Sequence, residues 1–194
     1  AKGEFIVLLN SDIIPRKHYL EPLLSHFSDS NVFGVGCMDE SIEGDAVVPR
    51  GRGIGSFHRG FLMHTRGEID RDDTLWVSGG SGMFRKSLWE KLGGMDELYS
   101  PFYWEDIDLS YRALKAGYKL VFEPKSIVEH RHSEGAIKKS FTKSAINQTA
   151  YRNQFFFVWK NITSGRFILQ HVLWLPYHVL SAIFRGDRAF LKGL

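Results

Sequence analysis

Hydrophobic positions at the start of the chain follow first a strand pattern and then a helix pattern. Residues 4–9 (EFIVLL) are a continuous apolar run that ends at a polar Asn-Ser-Asp sequence, as a buried strand does when it enters a loop. After Pro15, which suits the first turn of a helix, apolar residues recur at helical spacing. These residues are Tyr19, Leu20, Leu23, Leu24 and Phe27. A second buried strand over residues 32–38 completes a predicted βαβ unit with a partly parallel sheet.

The central part of the chain alternates between weak and strong patterns. Residues 39–73 are rich in glycine and arginine and predict long connections with short strands. A strand, a glycine turn, a short strand and a helix are predicted from the run LWVSGGSGMFRKSLWEKLGG, with the helix ended by the final two glycines. A further helix, closed by Gly117, is predicted to contain Glu105 and Asp106 in its first turn. The helix dipole favours acidic groups there and keeps them ionised.

The last third of the chain changes in character. Two short strands are predicted from YKLVFEP and SIVEH, with His130 and His132 at or just past their end. Residues 136–163 predict a long amphipathic helix. Residues 167–184 are an apolar segment interrupted by a few polar residues and one proline.

Composition fits one compact domain with a real core, since 43% of the 194 residues are hydrophobic and 24% are charged. The formal net charge is +3, but 25 basic residues nearly balance 22 acidic ones. This balance is too weak to predict a nucleic-acid partner. The single cysteine, Cys37, excludes a disulfide or a cysteine metal site within this chain, and a reducing compartment is the default expectation.

The chain opens directly on a strand pattern, without the basic, apolar and small-residue arrangement of a secretory signal. We therefore expect a piece of a longer protein, or a domain that begins within a sheet.

Asn10, Ser11 and Asp12 form the first group with candidate chemistry. Open α/β sheets bind ligands outside the carboxyl ends of their strands, so a carboxylate here is placed to hold a divalent cation against phosphate oxygens. The alternative is an ordinary polar loop or helix cap, and these residues alone favour that alternative.

Glu105 and Asp106 form the second group, beside Tyr103 and Trp104. A carboxylate at a helix start is able to take a proton from a sugar hydroxyl while an aromatic ring packs against the sugar. An acidic helix cap beside ordinary core aromatics explains the same residues, and by themselves they favour this simpler interpretation.

Two further groups are weaker signals. His130 and His132, next to Glu129, are potential metal ligands, although histidines two apart on a strand are as often a surface or packing pair. The glycine run 79–82 lacks the lysine and the helix entry of a P-loop, so it predicts a tight turn or a close backbone approach to a ligand.

The order and separation of these groups resemble a known family, glycosyltransferase family 2, which has the GT-A fold. Two runs carry the resemblance, which covers roughly residues 1–135. They are GEFIVLLNSDIIPRKHYLEPLL and WVSGGSGMFRKSLWEKLGGMDELYSPFYWEDIDLSYRALKAGYKLVFEPKSIVEH. The resemblance implies an α/β fold: a partial GT-A (Rossmann-like) mixed sheet flanked by helices, with a helical extension over residues 136–194.

On the donor side, the resemblance assigns Asn10 and Asp12 to the two positions of the family's DxD-type motif. Asparagine at the first position departs from Asp-x-Asp and leaves Asp12 as the expected metal contact. Gly79 and Gly80 match the glycine pair at the sugar site. His130 matches a histidine that reaches the metal or the diphosphate in relatives such as the polypeptide N-acetylgalactosaminyltransferases.

On the acceptor side, Asp96 matches an acidic residue of the acceptor loop, and Tyr103 and Trp104 are expected to contact the acceptor. Glu105 and Asp106 match the family's ED motif, whose aspartate is the catalytic base. The relatives that retain configuration have no aspartate at this second position, so Asp106 favours inversion.

The implied mechanism uses Mn²⁺ or Mg²⁺, held by Asp12 and His130, to neutralise the leaving nucleoside diphosphate while Asp106 deprotonates the acceptor hydroxyl. The implied partners are a nucleotide-sugar donor and a glycan or lipid-linked acceptor, with hexosyl or deoxyhexosyl transfer in surface polysaccharide synthesis. A non-catalytic fragment that acts as a binding module is the main alternative. A metal-dependent phosphohydrolase would need more clustered ligands than Asp12 and His130.

The family's domain normally begins with strands and acidic residues that bind the nucleotide base and ribose, and none of these can be assigned here. The donor nucleotide is therefore not predicted. We expect the isolated chain to bind nucleotide sugar poorly and to be inactive, which calorimetry would test.

The composition of residues 160–194 predicts that this segment binds a lipid surface or packs against protein. Five basic residues and one acidic residue flank the apolar segment, which suits an interfacial helix at residues 165–185 on anionic lipid. A helix packed on the catalytic domain or on a partner subunit, including another copy of the chain, is an equal alternative. A cytoplasmic protein, peripheral on the inner face of the cytoplasmic membrane, would fit the family resemblance.

Overall fold

The computed structural model describes residues 2–131 and 136–194, and these contain a mixed six-stranded sheet and a separate two-stranded hairpin. The strands are β1 (Phe5–Val7), β2 (Ile13–Pro15), β3 (Val32–Glu43), β4 (Ala46–Arg50), β5 (Gly53–His58), β6 (Phe61–Arg66), β7 (Met83–Arg85) and β8 (Lys119–His130). The main sheet has the order β1-β7-β3-β8-β2, with β4 paired to β3, while β5 and β6 form the hairpin. Only β3 and β8 pair in parallel among these strands.

The helices lie between and after these strands along the chain. They are α1 (Leu20–Ser25), α2 (Lys86–Lys91), α3 (Glu105–Lys115), α4 (Ala136–Ser140), α5 (Lys143–Asn161), α6 (Gly165–Arg185) and α7 (Arg188–Gly193). Short 3₁₀ turns cover His26–Ser28 and Glu97–Tyr99. A mixed sheet flanked by helices confirms the predicted α/β class.

The core of the main sheet forms where helix residues that repeat on one face pack against residues of the strands. Leu23 and Phe27, four residues apart, pack with Val35 and Val128 of the two longest strands. Leu109 and Ala113 of α3 have the same spacing and belong to a second buried cluster with Phe33 and Phe84. The packing fixes the start of α3, and therefore Asp106, against the sheet.

Several predicted elements change their bounds. Pro15 ends β2, an edge strand, where its missing N–H interrupts no ladder, so the helix begins later, at Leu20. The two strands predicted from YKLVFEP and SIVEH are one strand, β8, with an irregular register between Cys37 and Met38 of its partner β3. The helix predicted over residues 136–163 is interrupted, because the Thr142 side chain caps a new helix start.

The described chain divides into two compact units. The first comprises residues 2–54, 65–95 and 106–131, and the second comprises residues 55–64, 96–105 and 136–194. The helices of the tail are thus grouped with the tip of the β5–β6 hairpin and with the loop before Asp106. The predicted domain boundary at residue 135 stays a prediction.

Candidate active site

The predicted metal ligands meet where β2 pairs with β8. In this antiparallel pair Ile13 lies opposite His130, and the backbone N–H of Arg131 donates to the carbonyl of Asp12 at 3.1 Å. The register places the Asp12 side chain beside the His130 ring, with 3.4 Å between Asp12 Oδ2 and His130 Nε2. Strand pairing therefore brings together two residues that are far apart in the chain.

A third side chain, Asp39 of β3, completes this group and was not predicted from the sequence. Its Oδ2 lies 2.8 Å from His130 Nδ1, and its Oδ1 accepts a hydrogen bond from the buried Ser41 hydroxyl, also at 2.8 Å. The hydrogen bond to Asp39, together with the charge of Asp12, raises the pKa of His130 above its ordinary value, against the opposing effect of burial. The His130 ring thus has a carboxylate beside each of its nitrogens, Asp39 at Nδ1 and Asp12 at Nε2.

This arrangement fits a cation site that is shared with a substrate. A metal-bound histidine commonly donates its second ring N–H to a carboxylate, which fixes the tautomer and the ring orientation, and Asp39 is placed to accept that bond. Within residues 2–131 and 136–194, no group of three or more His, Cys, Asp or Glu side chains is arranged to hold a metal ion. Two protein ligands suit an ion such as Mg²⁺, which takes other ligands from water and substrate phosphates.

Gly79 and Gly80 allow two other residues of the first unit, Met95 and Asn10, to lie close to the backbone of the glycine turn. The Asn10 N–H donates to the Gly80 carbonyl at 2.9 Å, and a Cβ added to Gly80 would lie 2.6 Å from Asn10 Nδ2. A Cβ added to Gly79 would lie 2.8 Å from Cε of Met95. A side chain at either position would displace its neighbour, so the glycine turn can lie against the end of β1 only without side chains.

Asp106 is bound to the same glycine turn. Its Oδ2 accepts a hydrogen bond from the backbone N–H of Gly79 at 3.2 Å, and its Oδ1 accepts one from Ile107 at 2.8 Å. Burial raises the pKa of Asp106, although both backbone N–H groups act to lower it. The structure therefore connects two predicted motifs, the glycine pair and the acidic helix start, through one carboxylate.

Asp96, predicted to contact the acceptor, lies in the second unit with both carboxylate oxygens engaged. Oδ1 accepts from the N–H of Leu98 at 2.8 Å and caps the 3₁₀ turn, while Oδ2 accepts from Lys160 Nζ at 2.6 Å. These contacts show a structural role for Asp96, and its contact with an acceptor stays a prediction.

The two aromatic residues beside the acidic pair differ in exposure. Trp104 is 6% exposed, and its ring packs edge-on against His64 at 5.0 Å and at a tilted angle against Phe157 at 5.1 Å. Tyr103 is 39% exposed, and burial together with the charge of half-buried Glu105 raises its pKa. Tyr103 is therefore the ring of the pair that presents a surface to solvent.

Asn153 of α5 is a residue of this region that no sequence motif indicated. Its fully buried amide donates to the carbonyls of Tyr99, Phe102 and Tyr103 at 2.7, 2.9 and 2.9 Å. Tyr103 and Trp104 have φ of 70° and 79°, which non-glycine residues adopt at a cost. The Asn153 contacts hold this strained loop, and no local sequence signal marked them, because the residues on both sides of Asn153 are also polar.

The structure separates the predicted site residues into two sets. Asn10, Asp12, Gly79, Gly80, Asp106 and His130 belong to the first unit, and Asp96, Tyr103, Trp104 and Glu105 belong to the second. His132, considered as a second metal ligand, lies outside the described residues.

Comparison with protein families adds an independent finding. Residues 1–151 match the model described as "Glycosyltransferase like family 2", which is more than half of the chain. This chain belongs to glycosyltransferase family 2. Family 2 membership agrees with the resemblance that the sequence motifs indicated.

Two family 2-type relatives match about two thirds of this chain and less than half of their own length. A pre-mycofactocin glycosyltransferase of Mycobacterium tuberculosis is 32% identical over 132 residues, which is 66% of this chain and 27% of that protein. The O-antigen chain rhamnosyltransferase WbaN of Salmonella anatum is 31% identical over 137 residues, 68% of this chain and 42% of that protein. The chain thus spans less than half the length of either relative.

Solved structures agree with the predicted partial GT-A fold. GalNAc-T7, crystallised with UDP, GalNAc and Mn²⁺, superposes with a TM-score of 0.62 at 17% identity, over 81% of this chain and 31% of that chain. The mannosyltransferase PcManGT of Pyrobaculum calidifontis, with GDP-Man and Mn²⁺, gives a TM-score of 0.50 at 15% identity, over 100% of this chain and 49% of that chain. At such identities the likeness shows the fold.

Proposed function

We propose that this chain is the acceptor-side part of an inverting glycosyltransferase that moves a sugar from a nucleotide-diphosphate donor to a hydroxyl of a glycan or lipid-linked acceptor. The observation that carries the proposal is the Asp106 carboxylate, fixed at a helix start by the glycine turn and given a raised pKa by burial. Family 2 membership supplies the reaction class.

Asp106 acts as the general base in this mechanism. A carboxylate with a raised pKa binds a proton more strongly than an ordinary aspartate, so it removes the proton from an acceptor hydroxyl more effectively at neutral pH. The hydrogen bonds from Gly79 and Ile107 fix both carboxylate oxygens and reduce the reorganisation needed during transfer. Attack by the acceptor oxygen in one displacement inverts the configuration of the sugar.

Asp12 and His130 are the residues that would hold a divalent cation. When bound, Mn²⁺ or Mg²⁺ would neutralise the charge that develops on the leaving diphosphate. Asp39 orients the His130 ring so that Nε2 faces Asp12. The presence of Mn²⁺ in the solved complexes of GalNAc-T7 and PcManGT supports the use of a divalent cation.

The relatives suggest which substrates to test first. Besides WbaN, the N-acetylglucosaminyl-diphospho-decaprenol L-rhamnosyltransferase of Mycobacterium tuberculosis is 42% identical over 62 residues, 31% of this chain and 20% of that protein. We therefore propose a deoxyhexose donor and a polyprenyl-diphosphate-linked acceptor before hexose donors.

The test compares Asp106→Asn with wild type in the full-length protein that contains this chain. Nucleotide sugars are assayed with polyprenyl-diphosphate-linked acceptors, and product formation and its anomeric configuration are followed by mass spectrometry and NMR. Loss of the base should lower kcat on the order of 10² to 10⁴-fold without unfolding the protein. Asp45→Asn, which makes the same chemical change at an exposed turn, should leave the rate unchanged.

Three results would contradict the proposal. Near-normal turnover by Asp106→Asn would show that Asp106 is not the general base. A product that retains the donor configuration would exclude a single displacement. Donor binding by the wild-type protein without transfer to any acceptor would favour a non-catalytic binding module.

A further inference from the structure

One face of α6 is apolar and exposed along the length of the helix. Leu173 is 67% exposed and Phe184 is 86% exposed. The full set of exposed large hydrophobic residues is Ile168, Leu169, Val172, Leu173, Tyr177, Leu180, Ile183 and Phe184. Their spacing of three and four residues places them on one continuous stripe.

The two histidine side chains of α6 point the other way and form hydrogen bonds within the second unit. The His171 ring is 6% exposed, donates from Nδ1 to the Gly60 carbonyl at 2.7 Å, and accepts at Nε2 from Trp159 Nε1 at 3.1 Å. His178 Nε2 donates to the Arg59 carbonyl at 2.8 Å. A helix on a water-soluble surface buries its apolar stripe, so α6 has the reverse arrangement.

Positive charge borders the apolar stripe. Arg166 and Arg185 lie at the two ends of α6, and exposed Arg188 follows in α7. The guanidinium of Arg59, at the tip of the β5–β6 hairpin, lies 5.0 Å from the Trp174 ring and 5.7 Å from the Tyr177 ring. The surface therefore combines an apolar centre with a cationic border.

Lipid fits this surface better than a protein partner does. Protein interfaces carry about one hydrogen bond per 100–200 Å², whereas the Tyr177 hydroxyl is the only polar side-chain group among the eight exposed residues of the stripe. A lipid interior requires no hydrogen bonds, and anionic headgroups attract arginine at the border.

We infer that α6 lies in the plane of an anionic lipid surface, with the stripe from Ile168 to Phe184 inserted and the arginines at headgroup level. Its 21 residues are long and apolar enough to cross a membrane. The contacts of His171 and His178, two turns apart, fasten the helix lengthwise to the hairpin tip instead. Pro176 also leaves the Val172 carbonyl without its helical donor, which a bilayer interior disfavours.

Vesicle binding by the whole chain tests this inference. Wild type should co-sediment with phosphatidylcholine–phosphatidylglycerol vesicles and bind pure phosphatidylcholine much more weakly. The double variant Leu173→Glu/Phe184→Glu should lower the partition coefficient on the order of tenfold or more, since two large side chains lose their insertion. The matched control is Leu24→Glu/Val47→Glu, which changes two exposed hydrophobics of the first unit and alters the net charge equally.

A depth measurement separates a helix that lies on the bilayer from one that crosses it. Spin labels are placed through Leu169→Cys, Leu173→Cys and Leu180→Cys, while Cys37 is buried and burial raises its pKa to about 12, so it resists labelling. An interfacial helix gives similar depths at all three positions, whereas a crossing helix gives a maximum near its centre.

The inference fails if wild type does not bind anionic vesicles. It also fails if both double variants lose binding equally, because simple charge attraction would then explain the binding. A depth maximum near the centre would contradict the interfacial geometry. Dimers in solution that only Leu173→Glu/Phe184→Glu dissociates, without vesicle binding by wild type, would assign the stripe to a second copy of the chain.

Discussion

Asp106 shows how one residue serves both the fold and the proposed chemistry. A half-buried carboxylate is costly to ionise, and its two backbone hydrogen bonds offset only part of that cost, because its pKa remains raised. The same raised pKa is what a general base requires near neutral pH. The ionised carboxylate of Asp106 is therefore expected to lower the free energy of unfolding relative to an uncharged side chain at this position.

Asp106→Asn should accordingly gain stability relative to wild type as pH rises. A raised folded-state pKa means that wild type loses stability as pH rises from about 4 through the folded pKa, and asparagine removes this loss. Each unit of pKa shift corresponds to about 1.4 kcal/mol. Urea unfolding at several pH values between about 4 and 8 measures the difference, with Asp45→Asn as the exposed control.

A difference between Asp106→Asn and wild type that stays constant over this pH range would contradict the expected effect. A constant offset reports only the loss of one of the two hydrogen-bond acceptors, facing the N–H of Gly79 or of Ile107, whereas the pH-dependent part reports the buried charge.

Asp39 provides a second prediction at the residue scale, on cation binding. In the full-length protein used for the transfer assay, Asp39→Asn should weaken Mn²⁺ binding in the presence of UDP or GDP by about 10 to 100-fold, because the His130 ring loses the carboxylate that fixes it. The paramagnetic signal of free Mn²⁺ measures the affinity without catalysis. Glu40→Gln is the matched control, since Glu40 adjoins Asp39 in β3 and pairs with Arg16. Equal Mn²⁺ affinity in Asp39→Asn and wild type would show that Asp39 does not orient a metal ligand.

At the scale of elements, α5 organises the loop that leads to the acidic pair. One fully buried amide on α5 satisfies three carbonyls of the loop, and Arg152 adds a hydrogen bond to the Ser100 carbonyl. Carbonyls in a buried loop need donors, and the strained backbone at Tyr103 and Trp104 persists only where its surroundings hold it.

Asn153→Asp should destabilise the chain by about 2 kcal/mol or more, because a nearly isosteric carboxylate removes the donor and faces three carbonyl oxygens. Chemical unfolding measures this loss. Gln154→Glu makes the same change next to it, where the amide makes one long hydrogen bond of 3.4 Å, and should cost much less. Equal losses in the two variants would show that the three contacts do not hold the loop.

At the scale of the whole molecule, each compact unit uses its buried polar groups differently. In the first unit, the side chains of Asp12, Asp39 and His130 meet where β2, β3 and β8 lie side by side, and we propose a cation site there. In the second, Asn153 and His171 bind backbone carbonyls of neighbouring segments, which leaves the apolar stripe of α6 outside. The vesicle experiment therefore tests the second unit without relying on transfer activity.

The sequence by itself determined the features that depend on local spacing and motif order. Helical periodicity located α3 and placed Glu105 and Asp106 in its first turn, and paired glycines ended α2. The order of the motifs along the chain was enough to indicate the family, because each motif keeps its identity whatever its tertiary contacts are.

The tertiary structure decided the features that depend on which distant residues become neighbours. Asp39 joined His130 only through the parallel pairing of β3 with β8, which no local pattern encodes. The two faces of α6 were likewise unreadable from its composition. Hydropathy shows that apolar residues are present, but burial shows which of them face solvent, and on α6 the polar His171 is held inside while large apolar residues are exposed.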